Sequence, residues 1–381
     1  MTTTITGRLP ESGETVAITV SGGVIVDIAP AEAPVQHYIA PGLIDLQVNG
    51  YAGHDLNDGK VTPETVAALC ETLLALGVTT YLPTVITASE AAIIAALAAI
   101  AEARRSNPVA AAMIPYAHVE GPSIGREDGP RGAHPLEHVR APSLVEFARW
   151  QAACGGLVGM VTLSPDYPNV TDYITALTEQ GVHVALGHTG ATADQVRAAV
   201  AAGAVLSTHL GNGSAAQIPR HPNFLWAQLA ADDLTATFIA DGFHLPADAL
   251  TTMLRAKGLE RSVLVSDVVA LGGMPAGRYA NPIGGLVDVR ADGRIGVADT
   301  PYLAGAGLPL IANVAIATRL AGLSLADALM LASRNPGRFC GGRGQLEVGA
   351  AADLICFDWQ PGDDKLAIRE TYVGGERVFA R

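Results

Sequence analysis

The chain has 381 residues, 49% hydrophobic and 16% charged, enough for one large domain plus a small one and too apolar for a disordered protein. Its formal net charge of −13 disfavours nucleic acid and anionic membrane surfaces as partners. A small anionic substrate is compatible if local arginines receive it.

The N-terminus "MTTTITGRLPESGETV" has neither a basic nor an apolar leader region, so no signal peptide is indicated. The run "ETVAITVSGGVIVDIAP" alternates and turns at Gly22–Gly23, a hairpin signal. From residue 43 onward the pattern changes. Apolar, β-branched runs at 43–49, 78–85, 111–119, 157–163, 182–187, 204–208, 234–240 and 262–266 read as strands. Helical segments at 62–76, 88–105, 192–202 and 246–257 separate several of them. Thr87 with Glu90 reads as a capping box before the Ala-rich helix, and Ala191–Asp194 opens the next clear one. The apolar run 91–101 is too short to span a bilayer.

No Gly-rich dinucleotide fingerprint follows the first strand, so eight strands alternating with helices favour a (β/α)8 barrel over an open doubly wound sheet. Residues 277–299 read as a hairpin insertion turning at Ala291–Asp292–Gly293, and the last forty residues carry a second set of strands with a turn at Gly374–Gly375. The expected architecture is α/β. A TIM-type barrel (43–341) adjoins a small β-sandwich domain formed by both termini (1–42 plus 342–381). Cys70, Cys154, Cys340 and Cys356 form no C-x-x-C pair and read as buried free thiols of a reducing compartment. A cytoplasmic location is expected.

In such barrels the chemistry lies at the C-terminal ends of the strands. The first strand ends in Gln47-x-Asn49, the third in His118-x-Glu120, the fifth at His188 and the sixth at His209 with Asn212. The seventh is followed by Asp241 and His244, and the eighth ends at Asp267. Glu120, His188 and His209 make a one-carboxylate, two-imidazole set that suits Zn²⁺ or a similar ion with an open position for water. Such an ion lowers the pKa of its water and polarises a carbonyl. Asp267 would take the proton and pass it to a leaving amine. Any one of these residues alone reads equally well as a hydrogen-bonded core or surface group, and Asp267 as a helix cap. Their recurrence at strand ends carries the metal reading. Gln47 and Asn49 stand where a His-x-His pair would hold a second ion, so one ion is expected, with Gln47 near its water.

Other positions are open. His134, in the Gly/Pro-rich loop 118–135, is a carbonyl donor or an exposed loop histidine. Arg220 with His221 is an anion contact or plain surface. Asp241 with His244 is a supporting pair or loop polarity. His118 supports the carboxylate or fills the barrel, and His54, Asp55 and Asp58 read as a solvated turn.

The motifs "PGLIDLQVNGYAGHDLND", "YLPTVIT", "HVEGP" with "GAHP", "GHTGAT", "STHLGN", "IADGFH" and "VLVSD", in that order, resemble the N-acetylglucosamine-6-phosphate deacetylases of the amidohydrolase superfamily over nearly the whole chain. The resemblance implies a metal-dependent homodimer that hydrolyses the N-acetyl group of an amino-sugar phosphate to acetate and free amine. It assigns Glu120, His188 and His209 to one divalent ion, zinc or alternatively iron. It makes Asp267 the base and acid, and His134 the residue assisting the scissile carbonyl. Asn212, His244 and Arg220 would hold the phosphate end of the substrate, Arg220 reaching across the dimer into the neighbouring site, while the main chain at Gly213 and Leu303–Ala304 would line the sugar. The chain departs from the family pattern at Gly211, Gly213–Ser214, Phe224–Trp226, Val268 and Leu303–Ala306. All of these surround the sugar. The alternatives are an amidohydrolase acting on another N-acyl substrate, or a catalytically silent barrel.

Overall fold

The computed structural model describes residues 2–31, 34–281 and 285–381. Eight strands run parallel in chain order: Leu43–Val48, Val78–Ile86, Ala117–Glu120, Val158–Leu163, His183–Leu186, Leu206–Ser207, Thr235–Phe238 and Ser262–Leu264. They form because each is an apolar, β-branched run buried on both faces, as a barrel wall between core and helices demands. Alternate residues face inward. Ile44, Leu46, Leu82, Met160, Ala185, Leu206, Val263 and Val265 fill the interior, whereas Leu43, Val78, Tyr81 and Val85 pack outward with the helices.

No ladder joins the eighth strand to the first. The seam is drawn together instead by an isolated Val48–Val268 bridge and two backbone bonds. Asp267 N–H donates to Gln47 O at 3.0 Å, and Asn49 N–H to Val268 O at 2.9 Å. Deeper in the seam, the buried Asp45 carboxylate accepts from the Ser266 hydroxyl and from Ser266 N–H at 3.1 Å. The result is a nearly closed barrel.

Helices Pro63–Leu74, Glu90–Ser106, Ala193–Ala201 and Ala247–Lys257 lie where the periodicity placed them. Thr192 caps its helix in a capping box with Gln195. The expected box at Thr87 is corrected: Ser89 is the N-cap, its side chain accepting from Ala92 N–H. Thr87 directly follows the second barrel strand, and its hydroxyl bonds His134 instead.

The two chain ends meet in a separate seven-stranded sheet, in which Leu354–Asp358 pairs antiparallel with Tyr38–Pro41. Its hairpin turns at Gly22–Gly23 and Gly374–Gly375 place all four glycines at positive φ, the geometry that tight hairpin turns require. After the eighth strand, an insertion folds as three antiparallel strands, Gly277–Asn281, Gly285–Val289 and Ile295–Val297. The turn at Ala291–Gly293 joins the second to the third, and residues 282–284 lie outside the described residues. All four cysteines are buried and free. No helix among the described residues is long and apolar enough to cross a membrane.

Candidate metal centre and active site

Three strand ends leave the barrel through left-handed backbone: His188 at φ 50°, His209 at φ 29° and Asp267 at φ 52°. Each such conformation costs about 1–3 kcal/mol outside glycine and persists where the surroundings hold it. Here it turns all three side chains into one cavity of about 740 Å³ above the barrel.

Glu120 sits at the centre, 3% exposed. Its Oε1 accepts from Gln47 Nε2 at 2.8 Å and lies 3.0 Å from His209 Nε2 and 3.4 Å from His188 Nε2. Its Oε2 is 3.9 Å from His134 Nε2. Burial alone would raise the Glu120 pKa. The hydrogen bonds and charges of His188 and His209 outweigh that and hold it well below the ordinary value. The ligand atoms of Glu120, His134 and His188 all lie within 4.8 Å of one another. His134 is therefore close enough to join the expected Glu120, His188 and His209 set.

The hydrogen-bond chemistry tests whether these residues fit an ion. His188 Nδ1 is bonded to the carbonyl of Pro130 at 2.9 Å, and a carbonyl can only accept, so Nδ1 carries the hydrogen. That leaves Nε2 facing a carboxylate oxygen of Glu120 at 3.4 Å. A carboxylate and an imidazole nitrogen so placed share either a proton or a metal ion. Buried His209 Nδ1 has no partner among the described residues, so nothing fixes its tautomer against ligation. A carboxylate with such imidazoles is the donor set of a divalent ion, and the residues fit one.

Asp267 faces the same cavity. Its Oδ1 accepts from Asn49 Nδ2 at 2.8 Å. Burial, with the charge of Glu120 next, pushes its carboxyl up to about 6. His134 is bonded through Nδ1 to Thr87 Oγ1 at 2.8 Å. Burial first, then His188, lowers its pKa to about 3, so it is neutral. His244 is bonded through Nδ1 to Asp241 Oδ2 at 2.7 Å, while Asp241 Oδ1 accepts from the N–H groups of Phe243 and His244. That makes Asp241 an orienting group for His244 on the cavity wall. Asn212 Nδ2 donates to His209 O at 3.2 Å. Gly213, at φ 56°, packs so closely that a Cβ there would fall 2.7 Å from His188 Nδ1. Leu303 and Ala304 form part of the opposite wall.

Several expectations are resolved by position. Arg220 is exposed and does not line the cavity within one chain. His118 is buried, bonded to Thr162 Oγ1 at 2.7 Å and Leu46 O at 3.2 Å. It fills the barrel interior, with burial lowering its pKa to about 4. The supposed solvated turn is corrected. His54 and Asp55 lie half-buried in a two-stranded ribbon with Gly50–Tyr51, and Asp55 and Asp58 line the cavity. Thr87, missed as a functional group, carries a readable signal as the polar residue directly after the second strand. The Asp45–Ser266 contact had no such signal, since 221 residues separate the pair.

The model of the amidohydrolase family matches residues 38–378. An N-acetylglucosamine-6-phosphate deacetylase of Bos taurus is 35% identical, over 90% of this chain and 83% of that protein. An N-acetylgalactosamine-6-phosphate deacetylase of Escherichia coli O157:H7 is 33% identical, over 89% of each. A solved mutant of N-acetyl-D-glucosamine-6-phosphate deacetylase from Mycobacterium smegmatis, in complex with N-acetyl-D-glucosamine-6-phosphate, superposes with a TM-score of 0.86 at 29% identity, covering 99% of both chains. The chain therefore belongs to the amidohydrolase family, in its N-acetylglucosamine-6-phosphate deacetylase branch, and is a metal-dependent hydrolase of that kind.

Proposed function

We propose that this protein hydrolyses the acetamido group of N-acetylglucosamine 6-phosphate to acetate and glucosamine 6-phosphate. The observation that carries the reading is the shared cavity: Asp267, with its raised pKa, faces the same space as the Glu120–imidazole cluster. Glu120, His188 and His209 would hold one divalent ion, zinc, with iron as the alternative. When bound, the ion supplies Lewis-acid polarisation of a carbonyl and an acidified water.

The chain's own residues do the rest. Asp267 accepts the proton of the attacking water and returns it to the departing amine, a task suited to a carboxyl raised towards neutrality. Asn49 holds that carboxylate through Oδ1. Neutral His134, held through Nδ1 by Thr87 Oγ1, turns its Nε2 edge to the scissile carbonyl oxygen. Gln47 donates to Glu120 and keeps it oriented. Gly213 and Leu303 line the sugar, and Asn212 and His244 hold its phosphate end. Arg220 serves the neighbouring site of a homodimer. In this reading the barrel is residues 43–341, the small domain is 1–42 with 342–381, and the protein works in the cytoplasm.

Acetate release from N-acetylglucosamine, N-acetylgalactosamine and N-acetylmannosamine, each with and without the 6-phosphate, tests the proposal on metal-reconstituted protein. N-acetylglucosamine 6-phosphate should turn over fastest; no acetate from any phosphorylated sugar sinks it. The 33% identity to the E. coli N-acetylgalactosamine-6-phosphate deacetylase supports the galacto epimer as the second reading. Sedimentation of the intact protein at the dimer mass tests the assembly.

A further inference from the structure

Parallel ladders join each barrel strand to the next, from the first round to the eighth. No ladder among the described residues closes the circle, and the gap falls between the two strands whose ends hold the proton-transfer groups. Asp267 follows the eighth strand, and the bond that aims its carboxylate comes from Asn49, which follows the first. That 2.8 Å contact therefore spans the gap. Gln47, which donates to Glu120, stands on the same first-strand end. A slip of about 1 Å between the two strands would carry the Asn49–Asp267 contact out of hydrogen-bond range, and a misplacement of that size can lower a rate about 10²-fold.

A buried side chain takes over what a ladder does elsewhere. Asp45 and Ser266 are both buried. Asp45 Oδ1 accepts from Ser266 N–H at 3.1 Å and from Gln47 N–H at 3.3 Å, and its Oδ2 accepts from the Ser266 hydroxyl. The same Ser266 oxygen accepts from Val268 N–H at 3.4 Å. The intervening Asp267 N–H crosses to Gln47 O, and Asn49 N–H returns to Val268 O. Every backbone N–H from Ser266 to Val268 is thus satisfied at the seam. Those on either side of Asp267 depend on Asp45 or on the hydroxyl that it holds.

Neither Asp45 nor Ser266 lines the cavity, so neither touches substrate. The polar partners of Asp45 among the described residues are Ser266 and Gln47, with no cation beside it. A carboxyl group taken out of water in this way is costly, and a position that served packing alone would be at least as stable with an apolar side chain. What the group supports is strained backbone. Asp267 stands at φ 52°, and a residue other than glycine persists there only where its neighbours hold it. Those neighbours are Ser266 and Val268, the two residues that this network grips.

We propose that Asp45, acting through Ser266, is a positioning residue for the reaction: it sets the register of the first and eighth strand ends and so keeps the Asp267 carboxylate on Asn49, facing the Glu120–imidazole cluster. The inference rests on the reading of Asp267 as the proton-transfer group. It assigns the geometry of that transfer to a residue outside the cavity.

The test is a double-mutant cycle on the metal-loaded protein with N-acetylglucosamine 6-phosphate as substrate. Asp45→Ala should lower kcat about tenfold or more with little change in KM, because the transfer geometry is lost while the contacts to substrate remain. Asp45→Asn should recover most of that loss, since its amide oxygen still accepts both N–H groups and its Nδ2 donates to the Ser266 oxygen. In an Asp267→Asn background, which has no carboxylate to aim, Asp45→Ala should cost little further. Ser266→Ala removes the hydroxyl but leaves both N–H bonds to Asp45. It should give the same cycle with a smaller loss, and it replaces Asp45→Ala if that variant does not fold. Crystals of the alanine variants should show the Asp267 carboxylate off Asn49. Losses that add in the double mutants, no recovery by asparagine, or an unmoved carboxylate would overturn the proposal. The two readings fail separately. A displaced Asp267 in a protein whose wild type releases no acetate from any phosphorylated sugar removes the deacetylase reading alone, whereas acetate release with additive losses removes this one alone.

Discussion

At the scale of single residues, the proposed mechanism gives the chemistry to Asp267 and His134, whose environments perturb them in opposite directions. Burial and the Glu120 charge keep the Asp267 carboxyl near the point where it can both accept and return a proton, while burial keeps His134 neutral. Asp267→Asn should lower kcat by about 10² to 10⁴, the usual share of general acid–base catalysis, while metal content by elemental analysis stays at the wild-type level. Near-normal turnover would remove Asp267 from the mechanism. The Thr87 hydroxyl holds the His134 ring through Nδ1. Thr87→Val leaves a buried Nδ1 without its partner, which costs about 1–3 kcal/mol of stability. It should lower kcat more than it raises KM, because the contact to a developing oxyanion is worth most in the transition state. Thr87→Ser should restore turnover. A Thr87→Val enzyme with unchanged kcat would show that His134 does not depend on this hydroxyl.

At the scale of elements, the seam between the first and eighth strands replaces a ladder with the Asp45–Ser266 contact directly below Gln47 and Asp267. Burial outweighs the bonds from Ser266 and Gln47 and raises the Asp45 carboxyl to about 7. A folded-state pKa above the unfolded one means that the native protein holds a proton the unfolded chain has lost. The contribution of this group to stability therefore falls as pH rises from about 4 to about 7, by an amount on the order of 4 kcal/mol. Thermal unfolding between pH 5 and 8 should show the wild type losing stability across that window and Asp45→Asn losing less. Parallel pH profiles for the two proteins would show that Asp45 is ionised in the fold throughout.

At the scale of the whole molecule, one carboxylate and three imidazoles from four different segments converge on a buried point. Their mutual arrangement favours a bound cation, so ligand binding to the native state must add to stability. Exhaustive chelation should abolish acetate release and lower the unfolding temperature by several degrees, and added Zn²⁺ should restore both. A chelated protein verified free of metal that keeps its activity and melting temperature would refute the metal centre.

Much of this was legible in the chain, for a physical reason. Barrel strands buried on both faces must be apolar runs, so the eight strands stand out against amphipathic helices, and the polar residues that end them stand out against the runs. Glu120, His188, His209 and Asp267 were found in that way. Thr87 was misassigned to a helix cap because serine and threonine cap helices and support buried histidines with the same hydroxyl, and only the position of Ser89 decides between the roles. Asp55 looked solvated because nothing local announces the ribbon and cavity that half-bury it. The sequence by itself determined the alternation of elements and the ligand types at the strand ends, since both are set by side-chain periodicity along the chain. Tertiary structure alone decided the Asp45–Ser266 seam and the approach of His134 to Glu120, because those contacts join segments whose separation along the chain bears no relation to their distance in the fold.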